Sequence, residues 1–235
     1  MTIKYHGTPI NPVAVLYQLA GNHFCVSFYR PDQIVWCDQH SQTLMLDNGA
    51  FSAWKAGVNL GDQHWAKYYA WADRWLDRPT TWAVIPDVID AGSQEQDALI
   101  RQWPHGDRGA PVWHMDEPIS RLVRLSSEWP RVCIGSTAEY AVVGSTRWEA
   151  RMDQAWEALT QAHRRTPNVH MLRGMQAVRW RWPFASVDST DIARNHNRAC
   201  NTAAAMASSW NHRNPPSAWS PAARQDELFP TDDAF

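Results

Sequence analysis

The sequence predicts an α/β chain folded as a single (β/α)8 TIM-like barrel, and three observations lead there. Eight short apolar segments alternate with helical ones, the rhythm of a parallel barrel more than of a doubly wound sheet. Four of the apolar segments, Leu44–Asp47, Trp82–Asp87, Pro111–His114 and Phe184–Asp188, each end in an ionisable residue, as strands do when they deliver polar groups to one rim. The 235 residues bury a sizeable core without requiring a second domain. The expected division is a barrel over residues 1–210 and a flexible tail over 211–235, rich in Pro, Ser and Asp.

In chain order, Ile3–Pro9 forms a short first strand, and Gly7 to Pro12 turns the chain into a helix from Val13 to Ala20, stopped by Gly21-Asn22. Phe24–Tyr29 is the second strand, and Pro31–Gln42 reads as a polar connection with at most one helical turn. The third strand ends at Asp47, where Asn48-Gly49 breaks the chain sharply. Ser52–Gly61 is a Gly-punctuated excursion, long enough for an active-site loop. From Asp62, residues Trp65, Tyr68, Tyr69, Ala72 and Leu76 recur at helical spacing. Trp82–Pro86 is the fourth strand, and a helix over Ser93–Trp103 succeeds it. Val112–Met115 is the fifth, with a helix over Ile119–Glu128, and Val132–Gly135 the sixth. A long helix spans Trp148–Arg164, Val169–Leu172 and Ala185–Val187 are the last strands, and a closing helix runs from Ile192 to Trp210.

Composition limits the function classes. A hydrophobic content of 44% with 20% charged residues is that of an ordinary soluble domain, and a formal net charge of -2 gives no global pull toward nucleic acid. Charge is uneven, however: nine arginines lie between Arg147 and Arg198 against five acids. That stretch is either a phosphate-contacting face or solvated helix surface. The 15 tryptophans exceed what is usual, and most are expected between helices and strands. Cys25, Cys37, Cys133 and Cys200 are widely spaced with no CxxC pair, as in a cytoplasmic protein with reduced thiols. No apolar segment reads as a signal peptide or membrane span.

On a barrel, the strand-terminal Asp47, Asp87, His114 and Asp188 converge on one pocket although they are far apart in sequence. Several carboxylates around a small pocket suit chemistry at a glycosidic carbon, one attacking the anomeric centre while another handles the leaving group's proton; they also suit a metal. Each has a structural alternative. Asp47 can form an Asx-turn with Asn48-Gly49, Asp87 and Asp188 can cap the segments after them, and His114 can be a hydrogen-bonded histidine under the rim. Gly135 and Gly174 stand at strand ends, where backbone amides can approach a planar ligand or simply turn.

The ordered set Leu46-Asp47-Asn48-Gly49-Ala50-Phe51, Ile85-Pro86-Asp87, Ile134-Gly135-Ser136, His170-Met171-Leu172-Arg173-Gly174-Met175 and Ser186-Val187-Asp188-Ser189 resembles the tRNA-guanine transglycosylase superfamily. It is most similar to the shorter, phage-associated enzymes that insert 7-deazaguanines into DNA. The resemblance covers roughly residues 44 to 198, and the order of these short motifs is its specific part. It implies a retaining base exchange. Asp188 is then the nucleophile at C1′ and Asp47 the general acid/base or a holder of the base. Asp87 reads the donor edge of the purine, Gly135 and Ser136 meet its carbonyl, and Gly174, Met175 and Phe51 lie beside the ring. His114 stands where the family often has an amide. Arg173, Arg179, Arg181 and Arg194 are placed to hold flanking phosphates. The family's zinc-binding cysteine cluster and appended RNA-binding domain are missing, and Ala50 replaces its second glycine. The resemblance therefore implies no metal and no cofactor, and DNA in preference to tRNA as the polymer.

Two other classes remain open on the residues: a metal-dependent barrel hydrolase using Asp47, His114 and Asp188, and a non-catalytic nucleic-acid-binding subunit. A glycosidase, with water replacing the incoming base, keeps the same fold.

Overall fold

The computed structural model describes residues 1–58, 60–198 and 201–221. Among the described residues nine strand segments, all paired in parallel, make a nearly closed barrel compatible with a TIM-like fold. They are β1 (Ile3–Gly7), β2 (His23–Ser27), β3 (Leu44–Asp47), β4 (Thr81–Val84), β5 (Gly109–Ala110), β6 (Val112–His114), β7 (Val132–Gly135), β8 (Val169–Met171) and β9 (Ser186–Ser189). Their order around the sheet is β5-β4-β3-β2-β1-β9-β8-β7-β6.

The two ends of that order are one stretch of chain. Only Pro111 separates β5, paired with β4, from β6, paired with β7. Proline has no amide to donate, so it stands where the ladder passes from one neighbour to the other. The handover keeps both sides bonded: Ile85 N donates to Ala110 O at 3.0 Å and Cys133 N to Pro111 O at 2.9 Å. The fifth strand expected from sequence, Val112–Met115, is β6; the two-residue β5 before Pro111 is an additional segment.

The helices are α1 (Val13–Tyr17), α2 (Ile34–His40), α3 (Ala50–Lys55), α4 (Asp62–Leu76), α5 (Ser93–Gln102), α6 (Ile119–Glu128), α7 (Thr146–Ala162), α8 (Asp191–Asn195) and α9 (Ala203–Asn211). Three differ from the sequence expectation. The Pro31–Gln42 connection contains the two-turn α2, because Ile34 and Cys37, one turn apart, both reach the core. The excursion after Asp47 opens with α3, whose start is held by Asn48 Oδ1 accepting from Ala50 N at 2.8 Å. The single closing helix is two, α8 and α9. Past α9, Asn214 Oδ1 accepts from Thr2 N at 3.0 Å and from Lys4 Nζ at 2.9 Å, and Trp219 packs on the outer core. The expected tail therefore begins docked against the amino-terminal end of the barrel; Cys200 and residues 222–235 lie outside the described part.

Strand alternation sorts the side chains. Tyr5, Cys25, Met45, Trp82, Val84, Ala110, Val112 and Cys133 fill the barrel interior. The other strand face packs under the helices in two clusters. One, with Phe24, Leu44, Trp65, Tyr68 and Trp103, lies beneath α1, α2, α4 and α5; the other, with Trp113, Trp148, Trp156 and Trp182, lies beneath α6 and α7. The tryptophans are largely mortar between the layers, in line with the expectation from composition.

Candidate active site

Inward positions run in steps of two, so the sequence that fills the barrel also fixes what stands at its carboxyl mouth. Two residues beyond Met45 is Asp47; beyond Val112, His114; beyond Cys133, Gly135; beyond Ser186, Asp188. A cavity of about 110 Å³ opens there, lined among others by Asp47, Phe51, Asp87, His114, Gly135, Thr137, Arg173 and Asp188. The structure thus gathers seven of the residues singled out from sequence.

A hydrogen-bonded row crosses the floor. Asn48 Nδ2 donates to Asp87 Oδ1 at 2.7 Å and to Ile85 O at 2.8 Å. Asp87 Oδ2 meets His114 Nε2 at 2.9 Å, and Gln96 Nε2 lies 3.2 Å from His114 Nδ1. Gln96 is itself clamped by Val88, whose amide donates to Oε1 at 3.1 Å while its carbonyl accepts from Nε2 at 2.5 Å. That clamp turns the Gln96 amide so that it donates to His114, which makes Nδ1 an acceptor and leaves the proton on Nε2, facing Asp87. Burial pushes the His114 pKa down, whereas the bond to Asp87 and the charges of Asp87, Glu117 and Asp116 outweigh it and raise the pKa. Gln96 opposes that rise, because a second proton would set two donors face to face; the hydrogen-bond geometry favours the neutral imidazole.

His114 is held from behind as well. Its amide donates to Glu117 Oε2 at 2.9 Å, and Arg121 joins Glu117 (2.8 Å) to Asp97 (2.9 Å), tying β6 to α5, the helix that carries Gln96. Gly135 makes room: a Cβ there would stand 3.0 Å from His114 Cδ2.

Asp188 faces this row. Its Oδ1 accepts from Arg173 N at 2.7 Å and meets His170 Nε2 at 3.2 Å. His170 Nδ1 in turn lies 2.8 Å from Ser186 Oγ, and burial lowers the His170 pKa despite the bond to Asp188. With both donors on Oδ1, no described group is bonded to Oδ2. Arg173 takes a left-handed φ of 55°, unfavourable for a residue with a Cβ, and that turn aims its amide at Asp188. Its guanidinium lies 3.6 Å from the centre of the Phe51 ring, so cation and aromatic close one wall together.

Asp47 accepts from Gly49 N at 3.2 Å, the Asx-turn expected as its structural role, and still reaches the cavity. Burial pushes its pKa up to about 6; the hydrogen bond from Ser27 is the next influence and opposes the rise, while the charges of Asp188 and Asp87 add to it against the Gly49 amide. That sets Asp47 to hold a proton near neutrality.

The other expected residues lie elsewhere. Ser136 points outward, its Oγ accepting from Trp148 Nε1 at 2.9 Å, and Thr137 lines the cavity instead. Gly174 and Met175 are outside the cavity lining; Met175 is buried in the outer core, and a Cβ on Gly174 would collide with Met171. Arg181 is paired with Asp153 at 2.6 Å. Arg179 is exposed and lies over Trp210 at 4.8 Å, and Arg194 is exposed on α8. Asn48, Gln96, Thr137 and His170 received no role from sequence, although Asn48 and His170 sit inside the quoted motifs and His170 shares the inward register of Leu172.

Among the described residues no three His, Cys, Asp or Glu side chains are grouped to hold a metal ion, and no helix is long and apolar enough to cross a membrane. Comparison with protein-family models, with curated proteins and with solved structures found no match.

Proposed function

We propose that the protein is a (β/α)8-type transglycosylase that exchanges guanine in a nucleic acid, with DNA favoured, for a 7-deazaguanine base. The observation that carries this reading is the pairing of two unlike carboxyl groups across one cavity. Asp188 has one oxygen fixed by Arg173 N and His170 and the other unengaged by any described residue, whereas Asp47 has its pKa pushed up to about 6. Separated environments for two carboxyls are the requirement of glycosidic chemistry with a nucleophile and an acid.

In this mechanism Asp188 Oδ2 attacks C1′. The C1′–N9 bond breaks, its electron pair leaves with guanine, and Asp47 supplies the proton that guanine takes up. A covalent glycosyl-Asp188 results. The incoming base loses a proton to Asp47 and attacks C1′, which frees Asp188 with retained configuration. Asp87 accepts from the N1–H and exocyclic amine of the purine. Each of its oxygens already receives one bond, from Asn48 and from His114, and keeps capacity for another. The base must leave a duplex stack to reach this depth. Exposed Arg173, Arg179 and Arg194 sit on the elements following β8 and β9, where flanking phosphates would pass. Buried free thiols at Cys25, Cys37 and Cys133 suit a reducing, cytoplasmic setting.

The experiment is release of labelled guanine from single-stranded DNA, double-stranded DNA and tRNA, with and without added 7-deazaguanine bases, for the wild type and Asp188→Asn. Release that needs the added base and vanishes in Asp188→Asn supports exchange. Release without added base indicates a glycosidase, and no release from any polymer by folded protein refutes the proposal.

A further inference from the structure

At the opposite, amino-terminal mouth of the barrel lies a second cavity, of about 290 Å³, lined by Tyr5, Thr43, Thr81, Trp82, Arg108 and Arg131 among others. A water occupies about 30 Å³ of liquid, so this space holds several. Its chemistry is the reverse of the carboxyl mouth.

Arg131 is the central group. Its guanidinium lies over the Trp82 ring, 4.3 Å from the centre. Among the described residues no carboxylate lies within ion-pair distance of it, in contrast to Arg121, Arg124 and Arg181. Its Nε is buried without a hydrogen-bond partner among those residues. A stacked guanidinium keeps its edge free for a bidentate acceptor, and a half-buried cation lacking one is costly.

The surroundings also offer donors in excess. Of the ten buried side-chain polar atoms without a partner among the described residues, three belong to residues lining this cavity: Arg131 Nε, Arg108 Nε and Thr81 Oγ1. The Tyr5 hydroxyl accepts from Trp82 Nε1 at 2.8 Å and from Thr43 Oγ1 at 3.0 Å, so its own proton remains to be given. Arg108 spends its terminal nitrogens on carbonyls between the end of α4 and the start of β4, including Leu76 O at 2.7 Å and Thr81 O at 2.7 Å, and its charge still faces the same space. The one acid in the lining, Asp107, is exposed.

We infer that this mouth is a binding site for a phosphate-type oxyanion, held by Arg131 on its Trp82 platform with the Tyr5 hydroxyl and the Arg108 charge beside it. The ligand is free phosphate or the phosphate group of a small metabolite; the cavity has room for either. The site is independent of the exchange chemistry at the other end.

The test is isothermal titration of the full-length protein with inorganic phosphate and, separately, with guanosine monophosphate, at ionic strength matched with chloride. Variants Arg131→Gln, Arg131→Lys and Asp188→Asn are titrated alongside, with thermal melting of each. Phosphate binding that is kept in Asp188→Asn, drops at least tenfold in Arg131→Gln and less in Arg131→Lys supports the site. A nucleotide that binds tighter than phosphate with the same Arg131 dependence supports it and names a phosphorylated metabolite as the source; equal affinity names the free ion. If Arg131→Gln fails to fold, Arg131→Lys, which keeps the charge and loses the planar fork, decides by the same criterion. Binding unchanged in the Arg131 variants, or no phosphate effect beyond that of matched chloride, overturns the inference.

Discussion

The two mouths of this barrel differ in charge and in how completely their polar groups are satisfied. At the carboxyl mouth Asp47, Asp87 and Asp188 face one cavity, and Asn48, Asp87, His114 and Gln96 are joined in an unbroken row. At the amino mouth Arg108 and Arg131 dominate, and buried donors lack acceptors among the described residues. The difference teaches that the first is a site preorganised before any ligand arrives, whereas the second is built around a cation still in need of an anion. Preorganisation matters where charge develops during reaction, because dipoles already fixed need not reorient. A binding site carries no such requirement.

Substitutions at two glycines, one near each end, sharpen the contrast. The larger effect is expected from Gly109→Ala. The new Cβ would collide with Trp103 Nε1 and stand 2.7 Å from Ile85 Cγ1, both in packed positions where the strand changes partners. Overpacking of this kind costs about 1–3 kcal/mol; urea denaturation should report it, with the activity of the folded fraction unchanged. Gly135→Ala presses on the His114 ring at 3.0 Å instead. It should leave the melting temperature nearly unchanged and lower kcat/KM by roughly tenfold, since small misplacements of binding groups are expensive in rate. Equal stability losses for the two would erase the distinction between scaffold and site.

Asp47 gives a pH signature confined to the carboxyl mouth. Its folded pKa, about 6, exceeds the ordinary 3.8, so the native state binds the proton more tightly than the unfolded chain. Stability from this group is therefore greatest when both states are protonated, falls as pH rises between about 4 and 6, and stays low above that. Asp47→Asn should melt higher than the wild type at pH 8, with the gap closing as pH falls through 6. Thermal melts across pH 4–8 check the sign; a gap that widens toward acid would contradict it. The smallest expected effect is that of Arg194→Gln, which should reduce the slope of log affinity against log salt for a DNA ligand by about one and leave sequence preference alone.

Much of this was legible in the sequence because strands write their register in steps of two. Leu44–Asp47 and Ser186–Asp188 announce both a buried face and the carboxyl at its end, and His114 and Gly135 obey the same count. Ser136 points away from the cavity because a position adjacent to an inward residue faces the other way, and Thr137, one further on, is the residue in the lining. Met175 lies past its strand in a tight 3-10 turn, where no period fixes direction, and its apolar side chain went to the outer core. The partnership of Arg181 with Asp153, and the Val88 clamp that orients Gln96, depend on how helices and loops settle on the barrel. The handover at Pro111 is hidden in the sequence because β5 is only Gly109-Ala110, too short to show a period of its own.

The most direct test of the central claim is intact mass measurement of the protein after incubation with a guanine-containing oligonucleotide, without incoming base, and quenching in denaturant. The account predicts a species equal in mass to protein plus oligonucleotide minus guanine, its peptide adduct mapping to Asp188 and absent from Asp188→Asn. An adduct that persists in Asp188→Asn, or base exchange that proceeds at the wild-type rate in that variant, would contradict it.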